Sequence, residues 1–260
     1  MAQINARLLL IYSDISFWQW FFLALGSFSV GLSKTGVPGI GILNVAIFAL
    51  VLPSRNSVGV VLPILIAADI VAVTAYNRHA VWSHLWRLFP WAAGGVVLGY
   101  FAMGQINDKQ VAQLIGAILL ALVILTLWRK WSQRNVEEEV ANASPLFTGA
   151  MGIAGGFTTL VANAAGPIMT LYLLAMRLPK MEFLGTGAWY FLILNCFKVP
   201  FMMQLQLVNA PSLLLSAKLA PFAICGALFG RAIIKYINQE WFEKTAIAFT
   251  VIAALRLLFM

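Results

Sequence analysis

One apolar pattern occurs twice in this chain, and that repetition limits the possible folds more than any other feature. Pro90, Gly95, Gly99, Ile106 and Asn107 return as Pro221, Gly226, Gly230, Ile237 and Asn238, each pair 131 positions apart. Upstream, Leu52-Pro53, Gly59 and Asp69 match Leu178-Pro179, Gly185 and Asn195 at a spacing of 126. An apolar chain made of two similar halves is a frequent plan among secondary transporters, which place the substrate site where the halves meet. The repeat therefore predicts a class of protein and also where to look for its site.

Composition supports the membrane part of that reading. Of 260 residues, 62% are hydrophobic and 10% charged, whereas soluble domains carry about a quarter charged residues. Several stretches approach the ~20 residues needed to cross a bilayer. The expected fold class is an all-α polytopic membrane protein. Its net charge of +8 reads as Lys and Arg held in cytoplasmic loops, which excludes nucleic acid as the expected partner. Arg7 precedes only a short apolar run, Leu8 to Tyr12, and no small-residue cleavage site follows, so no removable signal peptide is expected. Cys196 and Cys225 lie in apolar segments without metal-ligand spacing and read as packing residues; no metal and no cofactor are expected.

The chain divides into an N-terminal repeat over 1–131, a polar linker over 132–144 holding Glu137-Glu138-Glu139, and a C-terminal repeat over 145–260. Each repeat reads as a glycine-broken apolar region followed by three spans. The first half gives Phe17–Leu52, then Ser57–Tyr76, Leu85–Met103 and Val111–Trp128. The second gives Leu146–Leu178, then Phe183–Met203, Ser212–Ala232 and Trp241–Phe259. As one helix, the 36 residues of Phe17–Leu52 would run roughly 54 Å, well beyond the hydrocarbon core. Gly31, Gly36, Pro38, Gly39 and Gly41 interrupt it, so the chain must turn back, either as a re-entrant hairpin or as two short helices. Either version gives an odd number of crossings per half, and hence inverted halves. Charge placement favours this arrangement. It gathers ten basic residues on one side, Arg78, Arg87, Arg129 and Lys130 among them, against five on the other, which puts the linker in the cytoplasm.

The breaks hold the candidate chemistry. The first reads Gly31-Leu-Ser33-Lys34-Thr35-Gly36-Val-Pro38-Gly39, and the second runs from Gly155-Gly156 through Thr158-Thr159 to Asn163-Ala164-Ala165-Gly166-Pro167. Irregular backbone inside a membrane must be satisfied by protein or by a wet cavity, and half-helix N-termini facing that cavity offer N–H donors to an anion. Ser33, Lys34, Thr35, Gly36, Thr158, Thr159, Asn163, Ala164 and Gly166 are therefore the expected substrate-binding set. The competing readings are a snorkelling surface lysine for Lys34 and a structural helix cap for Asn163. A phosphate-loop reading of Lys34-Thr35 fails, because Ser29 stands where the first motif glycine should be.

Asp69 is the one carboxylate placed well inside a span, a costly position that favours a proton relay or counter-charge role. Its repeat partner Asn195 shares a helix face with Lys198, three residues on. Asp69 pairing with Lys34, pairing with Lys198 and binding a coupling proton all remain open at this level. The Gly95/Gly99 and Gly226/Gly230 pairs read as helix-packing faces, and His79 and His84 as ordinary loop residues.

Three motifs resemble the TauE/SafE sulfite exporter family over about Phe17 to Leu258. They are Ser33-Lys34-Thr35-Gly36-x-Pro38-Gly39, Asn163-Ala164-Ala165-Gly166-Pro167, and Gly185-Thr186-Gly187-Ala188-Trp189 with Asn195-x-x-Lys198. The resemblance implies a carrier in the bacterial cytoplasmic (inner) membrane for a small sulfur-containing anion, sulfite or a short organosulfonate. Where many members carry a GxGGG-like run, this chain has Gly36-Val-Pro38-Gly39-Ile-Gly41 and Asn163-Ala-Ala-Gly166-Pro167. The expected partners are that organosulfur anion and membrane lipids, with homo-oligomerisation open. Two alternatives stand beside export by alternating access: a passive anion channel, and an integral-membrane polyprenyl pyrophosphate phosphatase. The phosphatase would need convergent acids, bases and an arginine, which the breaks do not offer, so no enzymatic activity is expected.

Overall fold

The computed structural model describes residues 15–35, 41–132, 145–176, 178–233, 247–248, 251–252 and 254–259. Gly36, Pro38, Gly39, most of the linker and about half of the last anticipated span lie outside the described residues. Among the described residues the regular structure is helical throughout. The elements are α1 (Phe17–Thr35), α2 (Gly41–Val51), α3 (Ser54–Tyr76), a 3₁₀ turn (Asn77–His79), α4 (Trp82–Gln105) and α5 (Asp108–Ser132), followed by α6 (Pro145–Ala162), α7 (Gly166–Ala175), α8 (Lys180–Gln204) and α9 (Ala210–Ile233).

Local sequence explains several starts. Ser16 and Gln19 form a reciprocal capping box at α1, and Asn107 and Gln110 do the same at α5. The matched Leu-Pro pairs of the repeat open α3 and α8, with Pro53 at φ −50° and Pro179 at φ −53° directly before the first helical residue.

Each glycine-broken region becomes two helices of unequal length, 19 and 11 residues in the first half, 18 and 10 in the second. At 1.5 Å per residue the first of each pair is about 28 Å long and the second about 16 Å. In the first half the two run antiparallel: Gly26 faces Phe48 and Ile47, while Gly41 lies opposite the Ser33 hydroxyl. The first helix ends at Thr35 and the second begins at Gly41, so the interruption falls in the middle of the region, as the sequence suggests, although Gly31 itself lies inside α1.

Contacts between the halves come in matched pairs. The most extensive packing is α4 on α6 and α1 on α9, so each half lends its first helix to the other half's helix with the repeated proline, Pro90 or Pro221. A Cβ on Gly31 would strike the Ala223 carbonyl and the Ala227 nitrogen; one on Gly156 would strike the Ala92 carbonyl and the Val96 nitrogen. Gly95 abuts Ile153 and Gly226 abuts Phe28 in the same reciprocal way, which makes both GxxxG faces packing surfaces. α3 and α8 cross between these two blocks and touch through Asp69 and Asn195, themselves matched residues.

Three helical stretches are long and apolar enough to cross a membrane: Ser54–His79, Pro145–Ala162 and Ala210–Ala232. Large apolar side chains such as Phe17, Trp86, Phe101 and Leu228 stand more than half exposed, which suits contact with lipid. This is a membrane protein.

The close glycine contacts give a direct test. Gly31→Ala and Gly156→Ala should each destabilise the fold by about 1–3 kcal/mol, because the new methyl meets backbone that cannot yield cheaply. Gly94 and Gly104 have nothing within 4 Å of an added Cβ, so alanine there should leave stability within about 0.5 kcal/mol. Thermal unfolding of purified protein distinguishes the two groups. Equal losses at all four positions would refute the packing account.

Candidate functional site

A cavity of about 80 Å³ lies between the halves. At roughly 10–15 Å³ per water it has room for a small ion and a few waters, not for a large organic molecule. Its wall comes from the end of α1 (Ser33, Lys34), the starts of the short helices (Gly41 and Asn44 of α2; Gly166, Met169 and Thr170 of α7), the end of α6 with its turn (Thr159, Asn163, Ala165), and α8 (Phe183, Gly187, Phe191, Asn195). Gly166 opens α7 at the cavity, where the first N–H groups of that helix lack helical partners, and Gly41 of α2 lines the same wall.

The charges are unevenly shared. Lys34 forms an ion pair with Asp69, Nζ to Oδ1 2.8 Å, with the side chains 10% and 0% exposed. The Lys34 ammonium also lies 3.8 Å from the centre of the Phe191 ring, a cation–π contact that holds it against α8. Asn195 donates to the other Asp69 oxygen at 2.6 Å. Of the three arrangements open from sequence, the structure has Asp69 joined to Lys34.

Lys198 is fully buried and takes a different set of partners. Its ammonium donates to the Thr159 carbonyl at 2.9 Å, to the Thr159 hydroxyl at 3.0 Å and to Asn163 Oδ1 at 2.8 Å. Three neutral oxygens therefore occupy its three protons. Among the described residues the only ion pair is Lys34–Asp69, so two buried or nearly buried ammonium groups share one carboxylate. With both amines protonated, the cluster carries one excess positive charge beside a cavity. Burying such a charge without an anion is expensive, and a bound anion would offset that cost.

Asn163 is the hinge of this arrangement. Its φ of 53° is left-handed, a conformation that asparagine tolerates better than most residues, and it ends α6 there. Its amide donates to the Val58 carbonyl of α3 at 2.9 Å while Oδ1 accepts from Lys198. The residue caps the broken helix and also lines the cavity, so the two readings made from sequence are compatible.

The structure brings Ser33, Lys34, Thr159, Asn163, Gly166 and Asn195 to the cavity wall, with Asp69 and Lys198 directly behind it. Thr35 and Thr158 face elsewhere. The Thr35 hydroxyl donates to the Ala227 carbonyl at 2.6 Å and so ties α1 to α9, while Thr158 donates to Ala154 within its own helix at 2.8 Å. Ala164 is buried next to the wall without lining it, and Gly36 is outside the described residues. Sequence reasoning passed over Asn44, Thr170 and Phe191. A signal existed for Asn44, which is the lone strongly polar residue of the apolar run Ile42–Val51.

A sequence model of the family described as "Sulfite exporter TauE/SafE" matches residues 23–257. The chain belongs to the TauE/SafE family. No curated protein and no solved structure matches it. The TauE/SafE match runs from α1 to the last described turn and therefore includes both breaks and the cavity between them. Membership places this protein among membrane transporters of the sulfite-exporter type.

Proposed function

We propose that this TauE/SafE protein is a secondary transporter that exports one small sulfur-containing anion, sulfite or a short organosulfonate, across the bacterial cytoplasmic membrane by alternating access. The observation that carries the reading is the placement of two lysines against a single carboxylate, Lys34–Asp69–Lys198, beside a cavity that fits a small ion. Donors come from several directions: the Lys34 ammonium, the unengaged Asn44 amide and the N-terminus of α7, with the Lys198 amine just behind the wall. That geometry suits a compact pyramidal or tetrahedral head, whereas a planar carboxylate is better served by an arginine fork, and no arginine lines the cavity.

The reciprocal packing of α1 with α9 and α4 with α6 supports two inverted repeats that rock about the α3–α8 crossing. The charge bias of the loops supports cytoplasmic placement of the linker. Single cysteines introduced near Arg7, Glu138 and Met260 and labelled from one side of the membrane test this. Glu138 should react from the side opposite both termini, and a shared side would end the inverted arrangement.

For transport itself, cells loaded with sulfite or a two-carbon sulfonate should lose it faster when the protein is expressed. Equal efflux with and without the protein across that panel, alongside export of a carboxylate or phosphate, would overturn the assignment.

A further inference from the structure

The cavity wall carries two polar side chains that the protein leaves unused. Asn44 is 2% exposed, and its Oδ1 is fully buried without a hydrogen-bond partner. No protein group bonds the rest of its amide among the described residues, and the residue lines the cavity. Thr170 lines the same cavity, and its hydroxyl also makes no hydrogen bond to a described residue. The remaining polar groups of the wall are engaged: Lys34 with Asp69, Asn163 with Val58 and Lys198, Asn195 with Asp69, Thr159 with Lys198, and Ser33 with the Val30 carbonyl at 2.7 Å.

The two unengaged residues occupy comparable places. Asn44 lies about one turn beyond Gly41, which opens α2, and Thr170 about one turn beyond Gly166, which opens α7. These two short helices pack against each other. A buried amide without partners is a costly feature that calls for a ligand or a water. Its chemistry also limits what the ligand can be. An ionised oxyanion only accepts hydrogen bonds, so it can match the Asn44 N–H groups but leaves Oδ1 unmet. A hydroxyl both donates and accepts, and so matches an amide or a threonine hydroxyl completely.

We propose that Asn44 and Thr170 are specificity-determining residues that read a hydroxyl group on the tail of the transported anion. The preferred substrate is then a small hydroxylated anion, not a bare oxyanion or a plain alkyl one. This deepens the transport reading above and rests on it, with the cationic cluster holding the head group and the two short helices selecting the tail. Apolar neighbours on the wall, Leu65, Met169, Leu173 and Phe183, leave a stray hydroxyl no other free side-chain partner.

The test uses the purified full chain in detergent and measures dissociation constants for two matched pairs: ethanesulfonate against 2-hydroxyethanesulfonate, and propionate against 3-hydroxypropionate. The hydroxylated sulfonate should bind on the order of tenfold more tightly than ethanesulfonate. Asn44→Ala and Thr170→Val should each shrink that ratio, and the double variant should bring it near one. Thr170→Val is nearly isosteric at a partly exposed position, so it reports even where an Asn44 variant folds poorly. A ratio near one in the unaltered protein, or a ratio that survives both substitutions, overturns the proposal, as does failure of every hydroxylated probe to bind. Preference for the carboxylate pair over the sulfonate pair, with the hydroxyl ratio intact, instead overturns the head-group assignment and leaves the tail selection standing.

Discussion

Replacing Asp69 with alanine is expected to cost about 3–5 kcal/mol of stability, enough to leave little folded protein. The carboxylate is fully buried, pairs with Lys34 at 2.8 Å and accepts from Asn195 at 2.6 Å. Its removal strands the Lys34 ammonium, and with Lys198 close by the core would hold two cations and no anion. Lys34→Ala should be costly for the mirror reason, since it leaves a buried carboxylate with only the Asn195 amide. Asp69→Asn keeps the shape and one hydrogen bond, and should lose less. If protons are coupled to export through this carboxylate, that variant should also flatten the pH dependence of transport. The decisive comparison is the double variant Lys34→Met/Asp69→Leu, in which both charges are gone. It should recover most of the lost stability while failing to bind anions. A double variant no more stable than Asp69→Ala would mean that the cost lies in packing, not in the unpaired charge.

Lys198→Met should have the opposite profile, with anion binding largely lost and the fold retained. The ammonium has no carboxylate partner of its own, so removing it relieves a buried positive charge, and methionine fills a similar volume. The acceptors at Thr159 and Asn163 lose their donor, which costs about 1–3 kcal/mol and is partly offset by that relief, so a modest loss of stability is expected. Binding should suffer heavily. From behind the wall, a unit charge about 6 Å from an anion is worth about 3 kcal/mol at an effective dielectric constant near 20, which corresponds to roughly a hundredfold in affinity. An observed loss on the order of tenfold or more fits that range after screening and rearrangement. Lys218 is the control: it lies 5.8 Å from the Trp20 ring and does not line the cavity, so Lys218→Met should leave affinity unchanged. Calorimetric titration of both variants with sulfite settles the matter. A Lys198→Met protein that binds within about threefold of the parent removes Lys198 from the site.

Much of the fold was legible because it depends on spacing. The 131-residue offset joins Gly95 to Gly226, and in space these residues make equivalent close contacts with Ile153 and Phe28. Helix starts followed from local chemistry, as at Ser16, Asn107, Pro53 and Pro179. The middle position of each break was legible too, but the roles of Gly31 and Gly156 were not, because a glycine near a break reads as part of it. In the structure both serve instead as flat packing surfaces inside continuous helices.

The site was legible in part. Lys34, Asp69, Asn163 and Asn195 stand out as polar residues in apolar surroundings. The choice between Lys34 and Lys198 as the partner of Asp69 depends on where α1 and α8 meet α3, which no local pattern encodes. Thr35 and Thr158 show the converse difficulty. Neighbouring hydroxyls on one helix diverge by 100° per residue, so of the pair Thr158-Thr159 only the second can face the cavity. Thr170 gave no signal, because a threonine in an apolar helix most often bonds its own backbone.

The contact between Asp69 and Asn195 has a bearing on ancestry. These residues hold the same place in the two halves and meet each other, so a half-length chain assembling with its own copy would have put one residue type at both positions. Two aspartates at 2.6 Å must share a proton, because both cannot stay ionised so close together. Two asparagines would forfeit the negative charge that Lys34 needs. Two copies encoded separately, here within one chain, escape this dilemma, since each position can mutate by itself. The acid–amide pair at the crossing therefore needs two copies that mutate separately, as in a joined duplicate, and it makes the two halves electrostatically unequal where they meet.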